Sequence, residues 1–264
     1  MKPRVLTSAA GPRVKLARRL HVRRHREREG LFLIEGPHVL EAALDAGAAI
    51  AEVFCTAAFA GGQPTLAARL EAAPWPVWEV SEALLARLAA TEEPQGAVAV
   101  ARLVPDAPEP RVVPGLLVLA LDGVSDPGNV GGALRAAHAA GADVVLGPGC
   151  CDRFNPKAVR ASAGALFAVP ARVEGDLAGL LCRLRGEGAG VFLAEPRGAR
   201  PCWAADLRRP AAIVVGSEAR GPSAPVRAEA TGNIAIPMPG GAESLNAAAA
   251  AAILLYEALR QRAA

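Results

Sequence analysis

The 264-residue sequence lacks long apolar runs and paired cysteine motifs, and it has few aromatic residues. No apolar run reaches the ~18 residues needed to cross a bilayer, so we expect no membrane-spanning helix. No apolar segment follows the basic N-terminal residues, and we therefore expect no signal peptide. Aromatic residues make up 4% of the chain and hydrophobic residues 52%, which predicts a core packed from small side chains.

The cysteines and histidines do not form a metal-binding pattern. The five cysteines are an odd number without a Cys-x-x-Cys pair: Cys55, Cys150, Cys151, Cys182 and Cys202. This pattern disfavours a disulfide framework and a zinc site, and reduced thiols in the cytoplasm are the simpler interpretation. His21 and His25 stand four residues apart on a predicted helix, but the surrounding arginines repel a cation. We therefore expect no bound metal.

The positive charge of the chain is concentrated at its N-terminus. Residues 1–30 contain ten Lys and Arg against two Glu, a net charge of +8, so the rest of the chain carries −5 of the total +3. A cationic segment on an acidic body is typical of a polyanion-binding arm, because phosphate contacts supply most sequence-independent affinity. A solvated helix face is the alternative. On the first interpretation the phosphate contacts come from Arg13, Lys15, Arg18, Arg19, Arg23 and Arg24.

The first hundred residues alternate between predicted helices and strands. Gly11-Pro12 begins a helix that we expect to continue to Glu29, before Gly30 ends it. Further strands are predicted at 31–34, 51–55, 77–80 and 96–103, and further helices at 37–46, 65–72 and 82–90. This order predicts a smaller α/β domain over residues 1–104. Four prolines in residues 105–114 then predict an extended, semi-rigid linker.

Residues 115–264 predict a second α/β domain. The uninterrupted apolar run at 116–121 is typical of a parallel strand that is buried on both faces. Further strands are predicted at 143–146, 189–194, 211–215 and 233–236, and helices at 130–140, 156–166, 176–185, 222–230 and 246–261. This alternation predicts a parallel sheet with helices on both faces and a ligand site at the carboxyl ends of its strands.

The loop after the first of these strands has the composition of a phosphate-binding turn. It reads DGVSDPGNVGG over residues 122–132, and we expect Asn129 at the N-cap of the next helix. Arg135 follows six residues later, which brings a guanidinium close to a helix N-terminus. An ordinary capped helix with a surface arginine is the alternative for this loop alone. Its glycines lack the Gly-x-Gly-x-x-Gly spacing, which disfavours a nicotinamide-dependent enzyme.

Two later loops also follow predicted strands. GSEARG at residues 216–221 offers a glycine that lets a ligand approach the backbone and a lone carboxylate, Glu218, which could instead interact with a helix dipole. IPMPGGAESLN at residues 236–246 precedes six alanines. A helix that carries only methyl groups can pack closely against another backbone or a flat ligand, although high helix propensity alone also explains it.

Taken in order, these three loops closely resemble the SpoU/TrmH family of RNA ribose 2′-O-methyltransferases. The family signature is Asn-x-Gly…Arg, then Gly-x-Glu-x-x-Gly, then Ile-Pro-Met…Ser-Leu-Asn, and the resemblance covers residues 115–262. Near the N-terminus, PRVK (residues 12–15), FLIEG (32–36) and QG (95–96) resemble the family's L30e-like substrate-binding domain.

This resemblance implies a fold, a cofactor and a set of site residues. It implies a deep trefoil knot in the C-terminal domain, which also forms a homodimer. It implies S-adenosylmethionine as methyl donor, lined by Ala194, Gly216, Ile236, Met238, Leu245 and Asn246. Catalytic or RNA-positioning roles then fall to Asn129, Arg135, Glu218, Ser244 and Asn246. One departure is Ala247-Ala248-Ala249 where the family often has Val-Ser-Val, so no hydroxyl is present at position 248.

The resemblance also implies RNA as substrate, and ribosomal RNA is favoured because of the additional N-terminal domain. Transfer RNA and an inactive RNA-binding paralogue are the alternatives. Family mechanisms make the residue at Arg135 a general base. A guanidinium keeps its proton at any physiological pH, so we expect Arg135 to hold the target phosphate instead.

Overall fold

The structure, a computed structural model, describes residues 4–195 and 200–263, which form two compact units. The first unit runs up to Val104 and also contains Asp152–Phe167. The second contains Pro105–Cys151 and the chain from Ala168 onward. The predicted domains are each continuous in sequence, whereas the first unit takes in a second segment from the middle of the chain.

Strands and helices alternate along most of the described chain. The strands are β1 (Arg4–Val5), β2 (Leu31–Glu35), β3 (Ile50–Cys55), β4 (Val77–Glu79), β5 (Ala97–Arg102), β6 (Leu117–Asp122), β7 (Asp143–Leu146), β8 (Ala171–Val173), β9 (Gly190–Ala194), β10 (Arg200–Pro201), β11 (Ala211–Gly216) and β12 (Gly232–Ala235). The α-helices are α1 (Pro12–Arg19), α2 (Arg23–Glu29), α3 (Pro37–Asp45), α4 (Ala57–Gly62), α5 (Pro64–Ala72), α6 (Glu82–Leu85), α7 (Pro127–Ala140), α8 (Pro156–Ala161), α9 (Leu177–Gly186), α10 (Ala224–Ala228) and α11 (Ala247–Arg262).

The sheet of the first unit has the order β1-β4-β3-β5-β2 and is mixed. Strand β5 pairs antiparallel with both β2 and β3, whereas β4 runs parallel to β1 and β3.

Four short elements, β1, α4, β8 and β10, were not predicted from the sequence. The predicted helix over 82–90 ends early at Leu85, and that over 156–166 ends at Ala161. Both continue as tight turns.

The single helix predicted over residues 12–29 is wrong, because the chain breaks at Leu20–Val22. Arg26 is 2% exposed, and its Nη1 donates hydrogen bonds to the carbonyl oxygens of Leu20 (2.8 Å) and His21 (3.0 Å). In a continuous helix, these carbonyls would accept from backbone amides four residues later. The buried guanidinium takes their place, and Val22 adopts an extended conformation as the N-cap of α2.

The same arginine fixes the second segment of the first unit. Arg26 Nη2 and Nε bind Oδ2 of Asp152 at 2.6 and 2.9 Å. The ring of Phe154 lies 5.0 Å from that of Phe32 in β2, and the ring of Phe167 lies 6.2 Å from Phe32. Apolar packing on β2 and a largely buried ion pair therefore hold Asp152–Phe167 in the first unit.

The sheet of the second unit has the order β10-β12-β9-β11-β6-β7-β8, and every described pair is parallel. This confirms the predicted α/β fold with a parallel sheet. Alternate residues of β6, such as Val118 and Ala120, pack with Leu180 and Leu184 of α9 on one face. Helix α11 packs against β11 and α7. In the described ranges, no helix is long and apolar enough to cross a membrane.

The proline-rich segment at residues 105–114 has no regular secondary structure and lies along the second unit. The Ala107 amide donates to the carbonyl of Ala171 at 2.9 Å, and Asp106 Oδ1 accepts from the amide of Val173 at 3.1 Å. Pro110 is buried. The segment therefore belongs to the packed second unit over at least part of its length.

Helices α7 and α11 approach closely at Gly132. A Cβ atom at Gly132 would lie 2.8 Å from the Cβ atom of Ala248, so the methyl-only start of α11 packs against a residue without a side chain. We expect Gly132→Ala to destabilise the protein by about 1–3 kcal/mol through overpacking. The double variant Gly132→Ala/Ala248→Gly restores the space and should recover most of that loss. Urea unfolding measures the free energy of unfolding of both variants. If the double variant lost as much stability as the two single substitutions added together, this contact would be contradicted.

Candidate active site

Three side chains from the three sequence motifs form one hydrogen-bonded chain in the second unit. Asn246 Nδ2 donates to Asn129 Oδ1, and Asn129 Nδ2 donates to Glu218 Oε1. Asn129 is 7% exposed, whereas Glu218 and Asn246 are open to solvent. A buried amide therefore connects a carboxylate to the first residue before α11. We call this chain the Glu218–Asn129–Asn246 relay.

The position of Asn129 differs from its prediction in one respect. Asp126, not Asn129, is the N-cap of α7, and its Oδ1 accepts from the Asn129 amide at 2.8 Å. Pro127 occupies the first turn, where its missing N–H needs no partner. The cap thus fixes the backbone of Asn129 inside the helix, which leaves the Asn129 side-chain amide free to join the relay.

Asn246 has two functions in the geometry of the site. Its Oδ1 accepts from the amides of Ala248 (3.0 Å) and Ala249 (3.2 Å), which caps α11. Its Nδ2 carries two amide hydrogens, and one of them donates to Asn129 Oδ1. The cap therefore orients the side chain, and the amide orientation in the relay follows from it.

A cavity of about 370 Å³ lies at the carboxyl ends of β9, β11 and β12. Volumes of this order are typical of small-molecule sites. Five of the six residues predicted to line the cofactor surround it: Ala194, Gly216, Ile236, Met238 and Leu245. Two predicted catalytic residues, Glu218 and Ser244, also line it, whereas Asn246 lies outside this lining. The relay and the cavity thus meet at Glu218.

Glycine is required at position 216 because the backbone of residues 221–222 packs directly against it. A Cβ atom at Gly216 would lie 2.1 Å from the backbone nitrogen of Pro222 and 2.2 Å from the carbonyl carbon of Gly221. Ligand approach alone, which the sequence suggested, does not explain this glycine. Any side chain at position 216 must move the loop at residues 217–222, which lines the cavity.

Gly216→Ala is therefore expected to weaken binding of S-adenosylhomocysteine, the demethylated form of the methyl donor that the family resemblance implies, by about tenfold or more. It should also lower the melting temperature, because the loop backbone has to shift. Isothermal titration calorimetry and thermal unfolding measure the two effects. Gly186→Ala is the matched control, since a Cβ there meets no atom within 4 Å. Wild-type affinity and stability in Gly216→Ala would contradict the packing described here.

Arg135 is not brought into contact with the relay. It is exposed on α7, lines neither large cavity of the second unit, and its side chain forms no hydrogen bond or ion pair with a described residue. It lies six residues beyond Asn129, about 9 Å along the helix axis. Its guanidinium is therefore available to a ligand outside the cavity.

Several residues of this region were not predicted from the sequence. Glu195 and Arg227 form an ion pair at the edge of the 370 Å³ cavity. A second cavity of about 770 Å³ lies on the other side of the loop at residues 217–221 and includes Asp122 and Asp176. An acidic residue directly after a predicted strand, as at Glu195, is the signal that could have revealed this pair.

The structure shows neither an activated Cys150 thiol nor, among the described residues, a cluster of metal-ligating side chains. Burial raises the pKa of the Cys150 thiol to about 11, and its Sγ donates to the carbonyl of Leu121 at 3.2 Å. A protonated thiol is a poor nucleophile. Across the part of the chain that the structure describes, no cluster of three or more metal-ligating side chains is found.

The basic residues of the first unit divide into paired and exposed groups. Arg13 binds Glu52 at 2.9 Å and lies over the Trp78 ring, with 4.7 Å from Cζ to the ring centroid. Arg23 is paired with Glu27. The other predicted RNA contacts, Lys15, Arg18, Arg19 and Arg24, are exposed on α1 and α2. These four residues are called the basic cluster below.

Comparison with known proteins gives matches over both halves of the chain. The SpoU rRNA Methylase family matches residues 116–256, and an MRM3-like substrate binding domain matches residues 11–99. An uncharacterised tRNA/rRNA methyltransferase of Synechocystis is 37% identical over 262 residues, covering 97% of this chain and 94% of that protein. The 23S rRNA (guanosine(2553)-2′-O)-methyltransferase RlmP of Bacillus subtilis is 34% identical over 252 residues, which cover 95% of this chain and 97% of that protein.

A solved structure agrees with these sequence matches. The AdoMet-bound rRNA methyltransferase of Sinorhizobium meliloti is 30% identical in sequence and superposes with a TM-score of 0.85. The match covers 98% of this chain and 98% of that chain. The family match covers more than half of the chain, and the three family motifs converge on the relay and the cavity. The chain therefore belongs to the SpoU rRNA methylase family.

Proposed function

We propose that this protein transfers a methyl group from S-adenosylmethionine to the 2′-hydroxyl of a ribose in large-subunit ribosomal RNA. The observation that carries this proposal is the Glu218–Asn129–Asn246 relay, which joins all three family motifs at the rim of the cavity. The full-length relative from Bacillus subtilis carries a 23S rRNA ribose methyltransferase name, which favours ribosomal over transfer RNA.

The cavity fits the proposed methyl donor. Its apolar lining, including Ile234, Ile236 and Met238, suits a flat adenine ring, and the carboxylate of Glu218 suits a sulfonium cation. When bound, S-adenosylmethionine supplies an electrophilic methyl group. We infer that Ala194, Gly216, Ser244, Leu245 and the residues named above would hold it, and that Asn246, which lies outside the cavity lining, would act through the relay.

The protein contributes mainly alignment to the reaction. A ribose hydroxyl is a poor nucleophile, and holding it in line with the methyl group can lower the barrier by about 7–11 kcal/mol in the best cases. In this account Asn129 and Glu218 orient the hydroxyl, since Glu218 lines the cavity and Asn129 fixes Glu218. The hydroxyl proton leaves late, to a phosphate oxygen or to water.

Arg135 holds the target phosphate in this mechanism. It is exposed and unpaired with any described residue, and its planar guanidinium can bind two phosphate oxygens at once. Arg135→Lys should therefore weaken RNA binding and lower methyl transfer by about tenfold or more, because a lysine cannot form the bidentate contact. Fluorescence anisotropy and single-turnover kinetics separate the two effects. Full turnover with unchanged RNA affinity would contradict the phosphate role.

The first unit is proposed to select and bind the RNA as an L30e-like domain. Its match to an MRM3-like substrate binding domain and the exposed basic cluster support this role. A deep trefoil knot in the second unit is proposed on family membership.

A homodimer through the second unit is also proposed. Large apolar side chains are exposed there without cover from described residues: Trp203 (58%), Ile253 (42%) and Tyr256 (54%). The last two lie three residues apart on α11, so they share one helix face. Exposed large apolar side chains that share a helix face are typical of protein interfaces. A cytoplasmic location is proposed because the five cysteines are free.

The experiment that tests the proposed function uses purified protein, radiolabelled S-adenosylmethionine and deproteinised ribosomal RNA. Nucleoside analysis after digestion should give label in one 2′-O-methylated nucleoside. Transfer RNA from the same cells is the comparison substrate. Label on transfer RNA alone would overturn the ribosomal assignment, and label on a nucleobase would overturn the proposed reaction.

A further inference from the structure

The proposed cofactor cavity has one charged pair that the mechanism above does not use. Glu195 directly follows β9, and its amide donates to the carbonyl of Ile234 at 2.9 Å. Arg227 of α10 donates from Nη1 to Glu195 Oε1 and from Nε to the Pro222 carbonyl at 2.8 Å. Both side chains line the cavity. The pair is therefore fixed to backbone on both sides.

The carboxylate of Glu195 keeps binding capacity toward the cavity. Its side chain is 17% exposed, and only Oε1 has a hydrogen-bond partner among the described residues. A carboxylate has about four acceptor sites, so several remain free. Much of the nearby lining is apolar, including Ile234, Ile236 and Leu254. A partly desolvated ion pair beside such a surface gives little stability by itself, which favours a role in ligand binding.

We propose that Glu195 accepts hydrogen bonds from the ribose hydroxyls of S-adenosylmethionine, and that Arg227 is a positioning residue that orients the Glu195 carboxylate. This proposal rests on the proposed function, since it concerns the same cavity. Acidic side chains near the carboxyl ends of parallel strands bind nucleoside ribose hydroxyls in other α/β proteins. The adenine ring would then lie on the apolar lining, and the diol would meet Glu195 Oε2, which has no hydrogen-bond partner among the described residues.

The backbone near Arg227 supports this positioning role. Gly221 has φ +66°, and a Cβ atom there would lie 2.8 Å from Arg227 Nη2 and 4.0 Å from Glu195 Oε1. The absence of a side chain at Gly221 therefore leaves the space through which Arg227 reaches Glu195. Arg227 therefore depends on the same loop that borders the cavity.

The test measures binding of S-adenosylhomocysteine and of its 3′-deoxy and 2′-deoxy analogues by calorimetry. Glu195→Gln should weaken S-adenosylhomocysteine binding about tenfold or more, the usual loss for a hydrogen bond to a charged group. At least one deoxy analogue should bind the wild type more weakly by a similar factor and should lose nothing further in Glu195→Gln. Glu229→Gln is the control, because Glu229 is also ion-paired, with Arg185, and lies outside the cavity lining.

Arg227→Gln tests the positioning role separately. It should weaken S-adenosylhomocysteine binding, and Glu195→Gln/Arg227→Gln should bind no more weakly than Glu195→Gln alone, since Arg227 acts through Glu195. Wild-type affinity in Glu195→Gln, or equal losses for S-adenosylhomocysteine and both analogues, would overturn the proposal. Wild-type protein that binds no S-adenosylhomocysteine would overturn the proposed function as well, and the two failures are thus distinguishable.

Discussion

Asn129→Ala should lower the rate of methyl transfer by about 100-fold or more and leave the affinity for S-adenosylhomocysteine nearly unchanged. Asn129 is the middle of the relay, so its loss removes the hydrogen bonds to both Glu218 and Asn246. Glu218 then becomes free to rotate beside the cavity. Asn129 does not line that cavity, which is why the cofactor should bind as before.

The fold should tolerate this substitution. Alanine has a higher helix propensity than asparagine, and the Asp126 cap contacts the backbone amide of residue 129 and not its side chain. Asn233→Ala, an exposed change on β12, is the matched control and should keep full activity. Single-turnover kinetics with saturating RNA and cofactor measure the chemical step. An Asn129→Ala enzyme with a near-wild-type rate would show that the relay does not align the reacting groups.

Removal of the basic cluster should separate RNA binding from cofactor binding. Changing its four members, Lys15, Arg18, Arg19 and Arg24, to alanine should weaken RNA binding at least about tenfold and flatten its salt dependence. The expected change in log–log slope is roughly 0.7–0.9 for each lost phosphate contact, hence up to about three units or slightly more. Cofactor affinity should stay the same, because the cavity lies in the second unit.

The control for this variant removes equal charge elsewhere. Arg87, Arg102, Arg111 and Lys157 are exposed outside α1 and α2, and their replacement by alanine should change affinity less. Arg23 is left in place because Glu27 already neutralises it. If the cluster variant and the control lost affinity and salt slope equally, binding would depend on net charge alone. An unchanged salt-dependence slope in the cluster variant would show that the basic cluster of α1 and α2 is a solvated helix face that does not contact RNA phosphates.

The site was more predictable from the sequence than the packing of the first unit. Glu218, Asn129 and Asn246 each follow a strand of one parallel sheet, and the carboxyl ends of such strands share an edge. Their convergence therefore follows from local patterns. The N-cap of α7 was wrongly given to Asn129 because Asp126 is an equally good capping residue, and Pro127 was the signal that distinguishes the two.

Long-range contacts explain what the sequence did not show. The break between α1 and α2 depends on Arg26, whose partner Asp152 lies 126 residues away. The arginine looked like one more member of a basic helix, and only the fold makes it a buried structural residue. Periodicity also could not reveal that residues 152–167, between two strands of the second sheet, pack on β2 of the first unit.

Ribose-methylation mapping of ribosomal RNA tests the central claim most directly. RNA would be compared from cells with the gene, from cells without it, and from cells without it that carry either the wild-type gene or the Asn129→Ala variant. The account predicts that one 2′-O-methylated position in the large-subunit RNA is lost on deletion, restored by the wild-type gene and not restored by Asn129→Ala. A ribosomal methylation map that is identical in all of these cells would contradict it.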